Sequence, residues 1–183
     1  CNHMAMAVDE VLGDRLTRGV AIVKISEPTD VFKKTEVFVG GHPLPNAEGY
    51  RACKIILDEI VDKAGPEDRF IVVISGGSSA LMSCPIDRVS LDDEIAGTDV
   101  MLKSGADIYE INAIRRHISQ MNGGMLAKRI QARGAELIGL GISDGIGTPA
   151  TKDIGVPYKN YKGTPMGPDQ TTLEEARRVI RDY

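Results

Sequence analysis

The sequence predicts an α/β fold: a three-layer α/β/α sandwich built on a mostly parallel, Rossmann-like sheet. Three observations predict it. The apolar runs Gly19 to Ile25, Glu36 to Val39, Arg69 to Ser75 and Leu137 to Ile142 lack the polar alternation of a sheet with one wet face. Between and around them stand segments whose apolar residues recur at three- and four-residue steps, the spacing of amphipathic helices. The 183 residues suffice for a single domain with its own core, and 42% hydrophobic with 26% charged residues is ordinary globular chemistry.

In order, Met4 to Leu12 reads as a helix stopped by Gly13, and Gly19 to Ile25 as the first buried strand. Glu36 to Val39 is the second strand, and the turn-rich Gly40-Gly41-His42-Pro43-Leu44-Pro45-Asn46 separates it from the next helix. That helix, Ala47 to Ala64, is long and amphipathic, with Ala52, Ile55, Ile56, Ile60 and Val61 as its apolar face. Arg69 to Ser75 is the third strand. Ser90 to Leu102 opens on a Ser-x-x-Asp pattern suited to a capped helix, and Asp107 to Ser119 and Gly124 to Ala132 are two more helices. Leu137 to Ile142 is the last strong strand, followed by a Pro- and Gly-rich stretch from Thr148 to Pro168 and a helix from Thr171 onward.

Composition narrows the function classes. A net charge of −4, with no dense Lys/Arg run and only 4% aromatics, lacks the electrostatic footprint and stacking residues of a nucleic-acid binder. Cys1, Cys53 and Cys84 are odd in number and widely spaced, which fits a reducing compartment better than a disulfide framework or a zinc site. No apolar run approaches the roughly 18 residues of a membrane span. The expectation is a cytoplasmic protein with no nucleic-acid or membrane partner.

The most informative stretch is Ile71 to Leu81, where a β-branched strand stops at Ser75-Gly76-Gly77-Ser78-Ser79. Glycines let backbone approach a ligand closely, and unpaired amides with serine hydroxyls suit a phosphate or carboxylate. Taken alone, such a loop is more often a plain strand-to-helix connection. Ligands of open α/β sheets lie at the carboxyl ends of strands, which also singles out Ser143-Asp144, with Asp144 placed to hold a divalent cation or orient a hydroxyl. On the helix from Asp107, Ile108, Ile111, Ile114 and Ile118 form a buried stripe, while Asn112, Arg115 and Ser119 share a flank able to face a ligand. Arg115 offers bidentate contacts to anionic oxygens, and Arg116 beside it joins Asn112 as a binding candidate. The bland alternative for each is a solvated charge or a local ion pair. His42 is a candidate base, although a histidine before proline in a loop is more often structural. Gly139-x-Gly141-x-x-x-Gly145 has the wrong spacing for a dinucleotide fingerprint, and no Walker-type loop, nucleophile elbow or zinc helix is present.

Ile74-Ser75-Gly76-Gly77-Ser78-Ser79-Ala80-Leu81 resembles the Ile-Ser-Gly-Gly-Gly-Ser-Ala-Leu signature of the type II glycerate kinases, the glycerate 2-kinases of the MOFRL family. Gly41 to Asn46, Ser90 to Asp93, Ser104 to Asn112, Arg115 to Ser119, Asn122 to Ala127 and Ile142 to Asp144 follow that family's order and approximate spacing. The resemblance implies transfer of the γ-phosphoryl group of ATP, with Mg²⁺, to the 2-hydroxyl of D-glycerate. It implies that residues 1–183 are the N-terminal domain of a longer protein that carries a C-terminal MOFRL domain, and that the family's Gly-Lys-Ala sequence lies just before Cys1. In this setting Arg115 and Asp144 are the expected catalytic residues, with Asp144 on the metal. Ser75, Gly76, Gly77, Ser78, Ser79, Asn112 and Arg116 are the expected substrate- and nucleotide-binding residues. The sequence departs from the family at Ser78 (a glycine there), at Asn122 (a lysine) and through Tyr161 to Asp169. Two rival readings are an NAD(P)H-dependent hydroxypyruvate reductase and a non-catalytic ligand-binding module. The oligomeric state is open, a homodimer included.

Overall fold

The computed structural model describes residues 2–142 and 165–183. Helix α1, Asn2–Leu12, ends where Gly13 turns with φ +50°. Strands β1, Gly19–Val23, and β2, Thr35–Val39, pair in parallel, Gly19 opposite Thr35 and Val23 opposite Val39. Helix α2, Ala47–Lys54, starts on Asn46, whose side chain accepts from the Gly49 amide at 2.8 Å. Strands β3, Arg69–Ile74, and β4, Glu136–Gly141, form a second parallel pair, with Val72 opposite Gly139. Between them come α3, Ser78–Leu81; α4, Leu91–Ser104; α5, Ile108–His117; and α6, Met125–Ala132. Helix α7, Leu173–Asp182, closes the chain.

Helix starts follow local chemistry. Ser90 with Asp93, Asp107 with Glu110 and Thr172 with Glu175 each form a reciprocal capping box, satisfying amides that the first turn leaves unpaired. Each such cap stabilises its helix by about 1 kcal/mol.

All four described strands pair in parallel, as the unalternating apolar runs require, but they form two two-stranded sheets. A shared core joins them. Ile22 and Phe38 of the first pair and the half-buried Phe70, Val72 and Leu137 of the second pack against Ala52, Cys53, Leu57, Leu126 and Ile130. On the opposite face, Ala5 of α1 covers Ala21 and Val23, with Val73 of β3 against the same cluster. Helices therefore lie on both faces of the strands. The cover is incomplete at β4, where Ile138 and Leu140 are exposed. A third cluster, Met101, Ile111, Ile114, Ala176 and Val179, ties α4, α5 and α7 together.

The expected helix from Ala47 to Ala64 departs from regularity at Ile55–Val61, which winds as a wider π-helical segment, with the Asp62 amide on the Leu57 carbonyl at 2.9 Å. The wider turn rotates the apolar face. Cys53, Leu57 and Val61, four residues apart, become wholly buried, while Ile55 and Ile56 only rest against the core. Leu57→Ala would cost about 2–5 kcal/mol. No helix among the described residues is long and apolar enough to cross a membrane.

Candidate functional site

Two glycine-rich connections meet at the carboxyl ends of β2 and β3. In the first, a side chain on Gly40 would press on Ile22 and Leu81 at 2.8 and 3.0 Å, and one on Gly41 would collide with the Leu44 carbonyl. In the second, Gly77 has φ +84°, and a Cβ there would lie 3.1 Å from Cδ2 of His42. The left-handed backbone and the imidazole above it both demand glycine at that position.

The second connection opens a single turn of helix, α3. Four residues have too little aligned dipole to attract an anion by field alone. What the turn offers is donors: among the described residues, the amides of Gly76, Gly77, Ser78 and Ser79 make no hydrogen bond. Gly76 is exposed and Ser75, Gly77, Ser78 and Ser79 are half-buried, so the tip is open. A cleft of about 250 Å³ runs alongside, where Lys24 just past β1, Ser75 and Gly76 share the lining with the carboxylates of Glu27 and Asp30.

Support comes from behind. Asn122, 1% exposed, donates through Nδ2 to the carbonyls of Ser79 at 3.1 Å and Met82 at 3.2 Å, pinning α3. Ser119 Oγ accepts from the amides of Met121 and Asn122, which fixes Asn122 in turn. Arg115 is 5% exposed and gives Nη2 to the Pro43 carbonyl at 3.0 Å, holding the turn that sets His42 over Gly77. Glu94 lies buried near it, accepting from Ser83 Oγ, and its other carboxylate oxygen has no hydrogen-bond partner among the described residues. Burial pushes the Glu94 carboxyl up, against the opposing pull of Ser83 and the Arg115 charge. Burial, joined by the charges of Lys24 and Arg115, pushes the His42 imidazole down, so it is neutral near pH 7.

The sequence candidates therefore divide. Ser75 and Gly76 line the cleft, and Gly77, Ser78 and Ser79 carry the free amides. Asn112 is buried on α5 with its Oδ1 unpaired among the described residues, and Arg115 faces Pro43 instead of solvent. Arg116 pairs with Asp169 at 3.4 Å in a buried contact that His117 shares. The flank expected to face a ligand is thus mostly packed into the protein, because residues 43 and 169 fold over it. Ile108, expected in the apolar stripe, is exposed at the helix's first turn. Ser143 and Asp144 lie outside the described residues, as does most of the loop from Thr148 to Pro168. Among the described residues, no three His, Cys, Asp or Glu side chains gather as metal ligands. Cys53 and Cys84 are free and buried, and burial lifts the Cys84 thiol to about 11, which makes it an inert core residue.

Sequence reasoning missed Lys24, Glu94 and Asn122. Lys24 had a signal, a lysine ending an apolar parallel strand, whereas nothing local foretells that Asn122 reaches the Ser79 carbonyl 43 residues away.

Comparison with known proteins gives one family match over the whole chain, residues 1–183, to a domain of unknown function, DUF4147. A glycerate 2-kinase of Pyrococcus horikoshii is 37% identical over 184 residues, covering 99% of this chain and 38% of the relative. A protein of Agrobacterium vitis named putative hydroxypyruvate reductase is 32% identical, covering 98% of this chain and 38% of the relative. The crystal structure of glycerate kinase from Thermotoga maritima superposes with a TM-score of 0.81 at 33% identity, over 98% of this chain and 41% of that one. The chain spans about two fifths of the length of these relatives.

Proposed function

We propose, on the premise that the chain belongs to the DUF4147 family, that it is the part of a glycerate 2-kinase that binds anionic oxygens. The reaction transfers the γ-phosphoryl group of ATP to the 2-hydroxyl of D-glycerate, giving 2-phosphoglycerate and ADP and releasing the hydroxyl proton. The observation that carries this reading is the row of amides at Gly76 to Ser79, unpaired among the described residues, at the carboxyl end of β3 where Gly76 lines a cleft. Phosphoryl transfer asks a protein for alignment and charge neutralisation more than covalent chemistry, and preorganised amides supply both. The glycerate kinase names among the relatives support the same reading.

The residue roles rest on placement. Ser75, Gly76, Gly77, Ser78 and Ser79 hold phosphate or carboxylate oxygens. Asn122 keeps their backbone in place, so the Asn that replaces the family's lysine serves the loop. Arg115 fixes the His42–Pro43 turn, and Asn112 and Arg116 shape the wall behind it. Mg²⁺ characteristically binds through substrate phosphates with one or two carboxylates, so the lack of a preformed acidic cluster among the described residues is compatible with it. Asp144 is the proposed protein ligand. When bound, the ion would neutralise charge on the β- and γ-phosphates. The remainder of the protein, including a C-terminal MOFRL domain, would complete the site.

The test is ADP release by the intact protein given ATP and D-glycerate, with the product identified. Formation of 2-phosphoglycerate is the expected outcome. NADH oxidation with hydroxypyruvate, without ADP release, would replace this reading with the reductase.

A further inference from the structure

We propose that Lys24, rather than Arg115, supplies the positive charge that meets the ligand's anionic oxygens, and that Arg115 is a positioning residue acting through Pro43 and His42. The ligand class, a phosphate chain or a carboxylate, rests on the kinase reading above, but the placement of charge does not.

Lys24 comes directly after the last residue of β1 and lines the same cleft as Ser75 and Gly76, beside the free amides. Among the described residues its ammonium makes no hydrogen bond or ion pair. A flexible, hydrated point charge of this kind can follow an anion into a polar cleft. Arg115 is committed elsewhere. The residue is 5% exposed with its guanidinium bonded to the Pro43 carbonyl, and bringing it to a ligand would break that bond and unseat the His42 turn. The carboxylates of Glu27 and Asp30 also line the cleft, Asp30 Oδ2 accepting from Asn2 Nδ2 at 2.6 Å and from the Glu27 amide at 2.9 Å, so an anion entering there depends on the Lys24 ammonium for its positive partner. The cleft is thus lined by the Lys24 ammonium and by Gly76, while the amides of Gly77, Ser78 and Ser79, unpaired among the described residues, and the His42 ring over Gly77 belong to the adjoining turn. Positive charge therefore reaches this cleft from the end of β1, and α5 maintains the geometry of the turn beside it.

Calorimetric titration of the intact protein with tripolyphosphate, and separately with D-glycerate, tests this without requiring turnover. Lys24→Gln should weaken at least one of the two anions tenfold or more and flatten the dependence of its affinity on salt, while the unfolding midpoint stays put. Lys24→Arg should keep most of the affinity. Arg115→Gln should weaken binding and lower the unfolding midpoint, yet leave the salt dependence as in the parent. The proposal is overturned if Lys24→Gln binds both anions as tightly as the parent, if Arg115→Gln flattens the salt dependence instead, or if the parent binds neither anion. A protein that binds these anions through Lys24 but releases no ADP would sink the kinase reading alone.

Discussion

Two glycine pairs in this protein sit at the starts of helices and meet opposite fates. Gly76-Gly77, ahead of α3, leaves its amides without a partner among the described residues, beside a cleft. Gly123-Gly124, ahead of α6, also takes left-handed backbone, at φ +65° and +80°, but is roofed over by the chain from Pro165 to Asp169. A Cβ on Gly124 would meet the Gly167 carbonyl at 3.1 Å, and the Ala127 amide donates to the Pro165 carbonyl at 3.3 Å. Gly77 and Gly124 are both needed for close approach. At the first the approaching body is the His42 ring, which leaves the amides on the other side open, and at the second it is the protein's own backbone. A Gly-Gly pair thus announces a close approach without saying to what, and the partner across the gap decides between a site and a seam.

Substitution separates the two. Gly77→Val places a branched side chain on left-handed backbone beneath His42, and turnover of the intact protein should fall at least about 10²-fold, the loss expected when preorganised donors are displaced. The same change at Gly124 should act on stability instead, by about 1–3 kcal/mol in urea unfolding, while the folded fraction keeps its turnover. The contrast collapses if both variants lose activity in proportion to their stability.

A smaller effect tests the support behind the open loop. Glu94 carries a carboxyl raised above its ordinary range by burial, so the folded state holds a proton there that the unfolded chain releases. Its contribution to stability is complete below the unfolded-state value and is lost as pH rises through the raised one. Glu94→Gln should remove that slope, which unfolding curves taken across mildly acidic pH will show. An unchanged slope would mean that Glu94 titrates as an exposed carboxylate does.

Much of this was legible in the residues. Ser90, Asp107 and Thr172 mark helix starts because capping is chemistry between neighbours, and the strands stand out because burial on both faces erases polar alternation. The Gly76-Gly77 loop was legible as a candidate for the same reason. What the sequence hid is long-range. Arg115 and Arg116 read as solvent- or ligand-facing cations, but their partners Pro43 and Asp169 lie 72 and 53 residues away. The π-helical widening at Ile55–Val61 was likewise invisible, since it answers to packing against β1, β2 and α6 rather than to propensity.

The central claim is that the amides of Gly76 to Ser79 receive an anion while the other glycine pair does not. Amide chemical shifts of the intact protein, labelled with ¹⁵N-glycine and ¹⁵N-serine and titrated with ATP, address it directly. The account predicts saturable shifts at Gly76, Gly77, Ser78 and Ser79, with Gly123 and Gly124 unmoved. Shifts confined to Gly123 and Gly124, or none at residues 76–79 at saturating nucleotide, would contradict it.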